Sequence, residues 1–151
     1  YKHYTHEGGI STPCIVHWPA GLKTRRGSVG NQPWHFIDVL PTLADVARAN
    51  MPPDCAGISM APMLAGQTVK HGPLFWEHEG SRAMRDGKWK ITALSPTGNW
   101  ELYDIEADRT EQNDLSPKNP GRVRRMAAQW TAWAKANQVV PWIWKPQFES
   151  E

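Results

Sequence analysis

The sequence predicts an α/β fold in two pieces: the last strand and helix of a larger α/β layer, then a small four-stranded antiparallel sheet with a C-terminal helix. Three observations predict it. A polar loop, Lys2 to Glu7, runs through Gly8-Gly9 into the apolar stretch Cys14-Ile15-Val16-His17-Trp18, and a helical period follows over residues 36–47. Four short strand candidates then alternate with turn residues between 74 and 104. Finally, Asn119-Pro120 opens a segment with one apolar stripe. The boundary is placed near residue 70, giving pieces 1–70 and 71–151.

Residues 14–18 read as a short buried strand stopped by Pro19 and Gly21, with Cys14 a small buried hydrophobe and His17 a satisfied core histidine. Residues 20–33 are polar and Gly-rich, hence a surface loop. Apolar residues at 36, 39/40, 43 and 46/47 have helical spacing. Pro41 is awkward in a helix interior, so the helix is expected to start near Leu40-Pro41, with Pro41 in its first turn and Asp38 as cap or dipole partner, the alternative being a kink in an earlier turn. Pro52-Pro53 breaks it, and Gly57–Leu64 is read as a short helical turn closed by Gly66.

The strand candidates are Leu74–His78, Arg82–Arg85, Trp89–Leu94 and Trp100–Asp104, with Asp86-Gly87 as a hairpin signal. Asn119 fits an N-cap and Pro120 a first helical position. Val123, Met126/Ala127, Trp130 and Trp133/Ala134 then form the buried stripe of a helix ending near Asn137.

Seventeen basic against fifteen acidic residues give a net charge of +2, too weak a field to point to nucleic acid or an anionic membrane. No apolar run reaches the roughly 20 residues that span a bilayer. Cys14 and Cys55 are the only cysteines, and their spacing suggests neither metal nor a needed disulfide. Nine tryptophans are read mostly as packing, with Trp76, Trp142 and Trp144 the least settled.

Taken in order, Lys2 with His6-Glu7-Gly8-Gly9-Ile10, Thr12-Pro13, Val16-His17-Trp18-Pro19-Ala20-Gly21, Phe36-Ile37-Asp38-Val39-Leu40-Pro41-Thr42-Leu43, Gly57-Ile58-Ser59, Phe75-Trp76-Glu77-His78-Glu79-Gly80, Arg85-Asp86-Gly87-Lys88-Trp89-Lys90 and Trp100-Glu101-Leu102-Tyr103-Asp104 resemble the sulfatase family. The likeness is to the C-terminal third of an arylsulfatase. Each motif alone is weak, but the ordered set is specific. The resemblance implies an alkaline-phosphatase-like α/β layer and a sulfuric ester hydrolase of bacterial type, periplasmic or secreted. It implies a formylglycine nucleophile, and a calcium ion that holds the sulfate. It places Lys2 as the sulfate-contacting lysine, whose ammonium can follow a tetrahedral anion as it breaks apart.

The formylglycine motif (Cys or Ser, then x-Pro-x-Arg) and the Asp-Asn pair are absent from these residues, so nucleophile and calcium ligands are expected upstream of Tyr1. The chain alone is expected to be inactive. His3 and His6 stand as donors behind the site, as substrate contacts, or more ordinarily as structural groups. His6 is carried as a substrate-binding candidate together with His78, at a strand end. Glu7 is expected to order the loop by accepting hydrogen bonds. Gly8-Gly9 are expected to give close approach or positive φ. In Glu77-His78-Glu79 only the two glutamates could share a ligand sphere without a bend, and no metal ligand is assigned in this chain. The alternatives are a phosphate or phosphonate monoester hydrolase of the same superfamily, and a Trp-rich glycan-binding module. The expected partner is a small-molecule or glycan sulfate ester.

Overall fold

The computed structural model describes residues 3–22 and 27–143. Of these, residues 3–13 and 72–143 form one compact unit and residues 14–71 a second. The division differs from the expected single boundary near residue 70, because the N-terminal polar loop packs with the late sheet.

In the first unit, β1 (Leu74–His78), β2 (Ser81–Asp86), β3 (Trp89–Ala93) and β4 (Glu101–Asp104) form an antiparallel meander in the order β1-β2-β3-β4. The four expected strands are present with ends shifted by at most one residue. The register pairs Phe75 with Met84, Met84 with Ile91 and Ile91 with Leu102. Side chains alternate along a strand, so these residues share one face. Met84, Ile91 and Leu102 pack there against Met126, Trp130 and Ala134 of the C-terminal helix, Pro120–Ala136. Phe75 stacks on Trp133 at 5.1 Å between ring centroids. Trp130 Nε1 donates to the Trp76 carbonyl at 3.0 Å, so this buried indole keeps its polar atom satisfied. Asn119 does occupy the N-cap position, but its side chain reaches back to the Leu115 carbonyl and makes no cap bond.

The alternate positions point the other way. Ala83, Lys90, Thr92 and Tyr103 are buried there too, so this face is also covered. What covers it is the segment 3–11, which includes the short helix α1 (Glu7–Ile10). The unit thus has three layers: polar N-terminal segment, sheet, and C-terminal helix.

The two hairpin turns differ from expectation. Asp86 pairs with Trp89, so the central residues are Gly87-Lys88, one later than the Asp86-Gly87 signal, and of the two only Gly87 has a positive φ (57°). The unforeseen one joins β1 to β2, where Glu79 (φ 51°) and Gly80 (φ 79°) are both left-handed, as a type I′ turn requires.

The second unit holds a 3₁₀ turn (Phe36–Asp38), α2 (Val39–Ala47) and α3 (Ala61–Leu64). Pro41 falls in the first turn of α2, as its missing N–H demands. Asp38 precedes the helix but its carboxylate serves another purpose. Fully buried, it accepts from His35 N (2.8 Å) and Ile58 N (3.0 Å), and contacts His71 Nε2 at 2.9 Å. The helix buries Pro41, Thr42 and Ala44, while Phe36, Leu40 and Leu43 of the apolar stripe are exposed.

Residues 14–18 form no strand, and Cys14, Ile15 and His17 are exposed. This corrects the expected buried strand, the buried cysteine and the core histidine. The physical reason is that a strand exists only within a ladder, and the four described strands pair only with one another. Both cysteines are free. Trp144 lies outside the described residues, and no described helix is long and apolar enough to cross a membrane.

Candidate functional site

Lys2, the predicted sulfate contact, lies outside the described residues. The segment that follows it is fixed to the sheet by a polar contact at nearly every side chain that can make one. His3 Nδ1 lies 2.8 Å from Glu79 Oε2. Thr5, fully buried, donates from Oγ1 to the Arg82 carbonyl at 3.1 Å and shares a 3.0 Å hydrogen bond with Thr92 Oγ1. His6 Nε2 meets Glu101 Oε2 at 2.9 Å. That same oxygen accepts from the Tyr103 hydroxyl at 3.0 Å. Burial first, and then the hydrogen bond and charge of Glu101, hold the Tyr103 phenol far above its ordinary value, so it is a permanent donor.

Glu7 is the anchor. Its Oε1 accepts from Lys90 Nζ at 2.9 Å, and the same ammonium lies 2.8 Å from Glu111 Oε1. Glu111 closes the circuit by accepting from the Glu7 backbone N–H at 2.7 Å. Lys90 is fully buried and both carboxylates nearly so. A cation buried in this way persists only because it is paired and hydrogen-bonded. Glu7 therefore orders the loop, as its position suggests, through a lysine 83 residues away.

Gly8 and Gly9 sit in α1, whose turn is closed by Gly9 N–H to His6 carbonyl (2.8 Å) and Ser11 N–H to Glu7 carbonyl (2.9 Å). Neither glycine has a positive φ, so of the two roles expected of them, close approach or positive φ, the second is not taken and the backbone there is helical. Beside α1 a shallow depression of about 330 Å³ is lined by Glu7, Gly8, Ser11, Arg109 and Thr110. Arg109 Nη2 reaches Ser11 Oγ at 3.3 Å.

The substrate-binding candidates go to different places. His6 is tied to Glu101 and lies edge-on to Tyr103, with ring centroids 6.5 Å apart. His78 is exposed at the end of β1 and stacks on His3 at 5.8 Å. Glu77 and Glu79, the two that strand alternation would have let share a ligand sphere, are directed to different partners. Glu77 Oε1 accepts from the Gly80 N–H at 2.8 Å, on the face lined by Arg82 and Trp130. The left-handed turn at Glu79 instead brings its carboxylate beside His3 and His78.

Calcium takes six to eight oxygen ligands. Among the described residues the one set of three metal-ligating side chains close together is His3, His78 and Glu79. Two imidazoles and a carboxylate do not fit calcium.

Sequence reasoning passed over Lys90, Glu101, Glu111 and Thr5. Lys90 and Thr92 alternate with Trp89, Ile91 and Ala93, a pattern that reads as a strand with one wet face. The sequence offers no local signal for the circuit, because a glutamate in a polar loop and a lysine in mid-strand are each satisfied by water until both are buried.

A meander backed by one helix and faced by a pinned, histidine-bearing loop can be compared with known proteins. The family described as N-sulphoglucosamine sulphohydrolase, C-terminal, matches residues 1–128. The chain belongs to the sulfatase family, and its match is to the family's C-terminal portion. The Ulvan-active sulfatase of Formosa agariphila is 39% identical over 169 residues, covering 85% of this chain and 34% of that protein. The mouse steryl-sulfatase is 33% identical over 172 residues, covering 88% of this chain and 27% of that one. A solved 2-O GAG sulfatase superposes with a TM-score of 0.51 at 30% identity, over 68% of this chain and 25% of its own. The fold class is thereby that of the alkaline-phosphatase-like sulfatases. The chain spans about a third or less of the length of these relatives.

Proposed function

We propose that these residues are part of a sulfate-ester hydrolase in which Lys2 contacts the sulfate, the pinned segment 3–11 following it in the chain. The observation that carries the reading is the buried circuit that Lys90 and Glu111 make with Glu7, which stands five residues after Lys2 in sequence. A point charge stabilises a developing anion only when it is held where that charge appears. Anchoring at Thr5, His6 and Glu7 supplies such rigidity to the following backbone, and kinship with sulfatases supports the chemistry.

The nucleophile and the calcium ion of the family are assigned to residues outside these 151, since the sequence holds no Cys or Ser followed by x-Pro-x-Arg and the described ligand set does not suit calcium. His6, held by Glu101, and His78 are the candidates for substrate contact. Relatives act, by name, on ulvan and on steryl sulfates, so the ester's organic part is left as an aryl, sterol or glycan group.

The experiment is hydrolysis of an aryl sulfate by the enzyme that contains this chain, with Lys2→Ala. The expected fall in rate is about 10² or more, as when one oxyanion contact is lost. An unchanged rate removes Lys2 from the site.

A further inference from the structure

We propose that His3, His78 and Glu79 bind a divalent transition-metal ion of the zinc type, clamping the segment that follows Lys2 to the β1–β2 hairpin. One ligand atom from each residue lies within 4.8 Å of the others. Two ligands of one tetrahedral zinc stand about 3.3 Å apart, given metal–ligand bonds of about 2.0–2.2 Å. The 2.8 Å contact of His3 with Glu79 would therefore widen by about half an ångström while the wider pairs close in.

The backbone is arranged for this convergence. Successive strand residues point to opposite faces, so a regular continuation of β1 would separate His78 from Glu79. The left-handed conformation of Glu79 (φ 51°) removes that separation. Glycine or asparagine would enter this conformation more easily than glutamate, so a glutamate here is held against its preference with its carboxylate beside two imidazoles. The second arm is fixed as well. Thr5 and Glu7 anchor the chain two and four residues beyond His3, and the His3 ring stacks near His78 with planes 28° apart. Two nitrogens and one carboxylate suit zinc, copper or nickel and leave coordination positions open for water or a ligand.

The test is isothermal titration of zinc chloride into the full chain. One equivalent should bind, with His78→Ala and Glu79→Gln each lowering affinity by at least about 100-fold, since outer-shell changes alone cost 10–100-fold. His78 is exposed, so its removal leaves the fold intact, which near-UV circular dichroism checks. His17→Ala, at an exposed histidine in the other unit, should bind as wild type, and excess calcium should not compete. Absence of one-site binding in the wild type, or unaltered binding by His78→Ala, overturns the proposal. Equal competition by calcium overturns the zinc-type assignment.

Discussion

Replacing Lys90 with methionine removes the cation from between Glu7 and Glu111 while nearly keeping the side-chain volume. The two contacts, at 2.9 and 2.8 Å, are each worth about 6 kcal/mol at an effective dielectric constant of about 20. Desolvation of the three ions offsets most of that, at several kcal/mol each, so the intact circuit is a small net contributor. Its broken form is not. With Lys90 gone, two buried carboxylates face each other without a counterion, and breaking a buried pair in this way costs about 3–5 kcal/mol. Urea unfolding followed by tryptophan fluorescence should show that loss for Lys90→Met. Lys90→Met/Glu7→Gln/Glu111→Gln removes every charge and should recover at least half of it. Amide exchange at Gly9 and Ser11 should speed in the single variant, because both amides close the α1 turn carrying Glu7. A single variant within about 1 kcal/mol of wild type, with those amides still protected, would refute the view that the circuit pins the loop.

Burial, opposed by Asp38 and assisted by His71, lowers the His35 pKa below its ordinary 6.5. The unfolded chain then binds more protons, so the contribution is complete above pH 6.5 and is lost as pH falls through the folded value. Protection of the Ile37 amide, whose N–H donates to His35 Nδ1, measured against its intrinsic exchange rate at each pH, should fall below pH 6.5, and unchanged protection down to pH 5 contradicts this. Asp114, pushed up by burial yet lowered on balance by the N–H groups of Leu102 and Ser116, acts in a lower window. Its stabilisation should persist at pH 5 and fade below 3.8, as acid unfolding of wild type against Asp114→Asn would reveal. Gly57→Ala puts a Cβ 2.0 Å from the Ile37 carbonyl oxygen, so it should lower stability by about 1–3 kcal/mol or more, measured by thermal melting. Arg48 caps α2 at φ 54°, and Arg48→Gly should raise stability by about 1 kcal/mol by the same measurement.

The elements with local signatures were legible. Period-2 runs and turn residues located β1 to β4, and the Asn119-Pro120 start with its 3.6-residue stripe located the C-terminal helix. The missed features depend on partners distant in sequence. An apolar run such as 14–18 reports a wish for burial and says nothing of a pairing edge. Lys90 mimics a solvent-facing residue until Glu7 is known to lie above it. Glu79 was read in strand alternation because glutamate carries no sign of a left-handed turn, although Gly80 beside it does. Of the site, Glu7's ordering role was readable from the loop alone. The grouping of His3 with His78 and Glu79 was not, since it rests on one backbone dihedral angle.

Because the circuit joins Glu7 to Lys90 and Glu111, the segment 3–11 leaves a ribosome before its partners and can dock only after them. Its Thr5, His6 and Glu7 must wait until β2 to β4 and the turn bearing Glu111 have been made. Closing so long a loop adds only about 0.6 kcal/mol per doubling of length, so the delay is one of synthesis order more than of entropy. Premature termination anywhere before residue 111 would strand a complete, correctly encoded Lys2 segment without its seat.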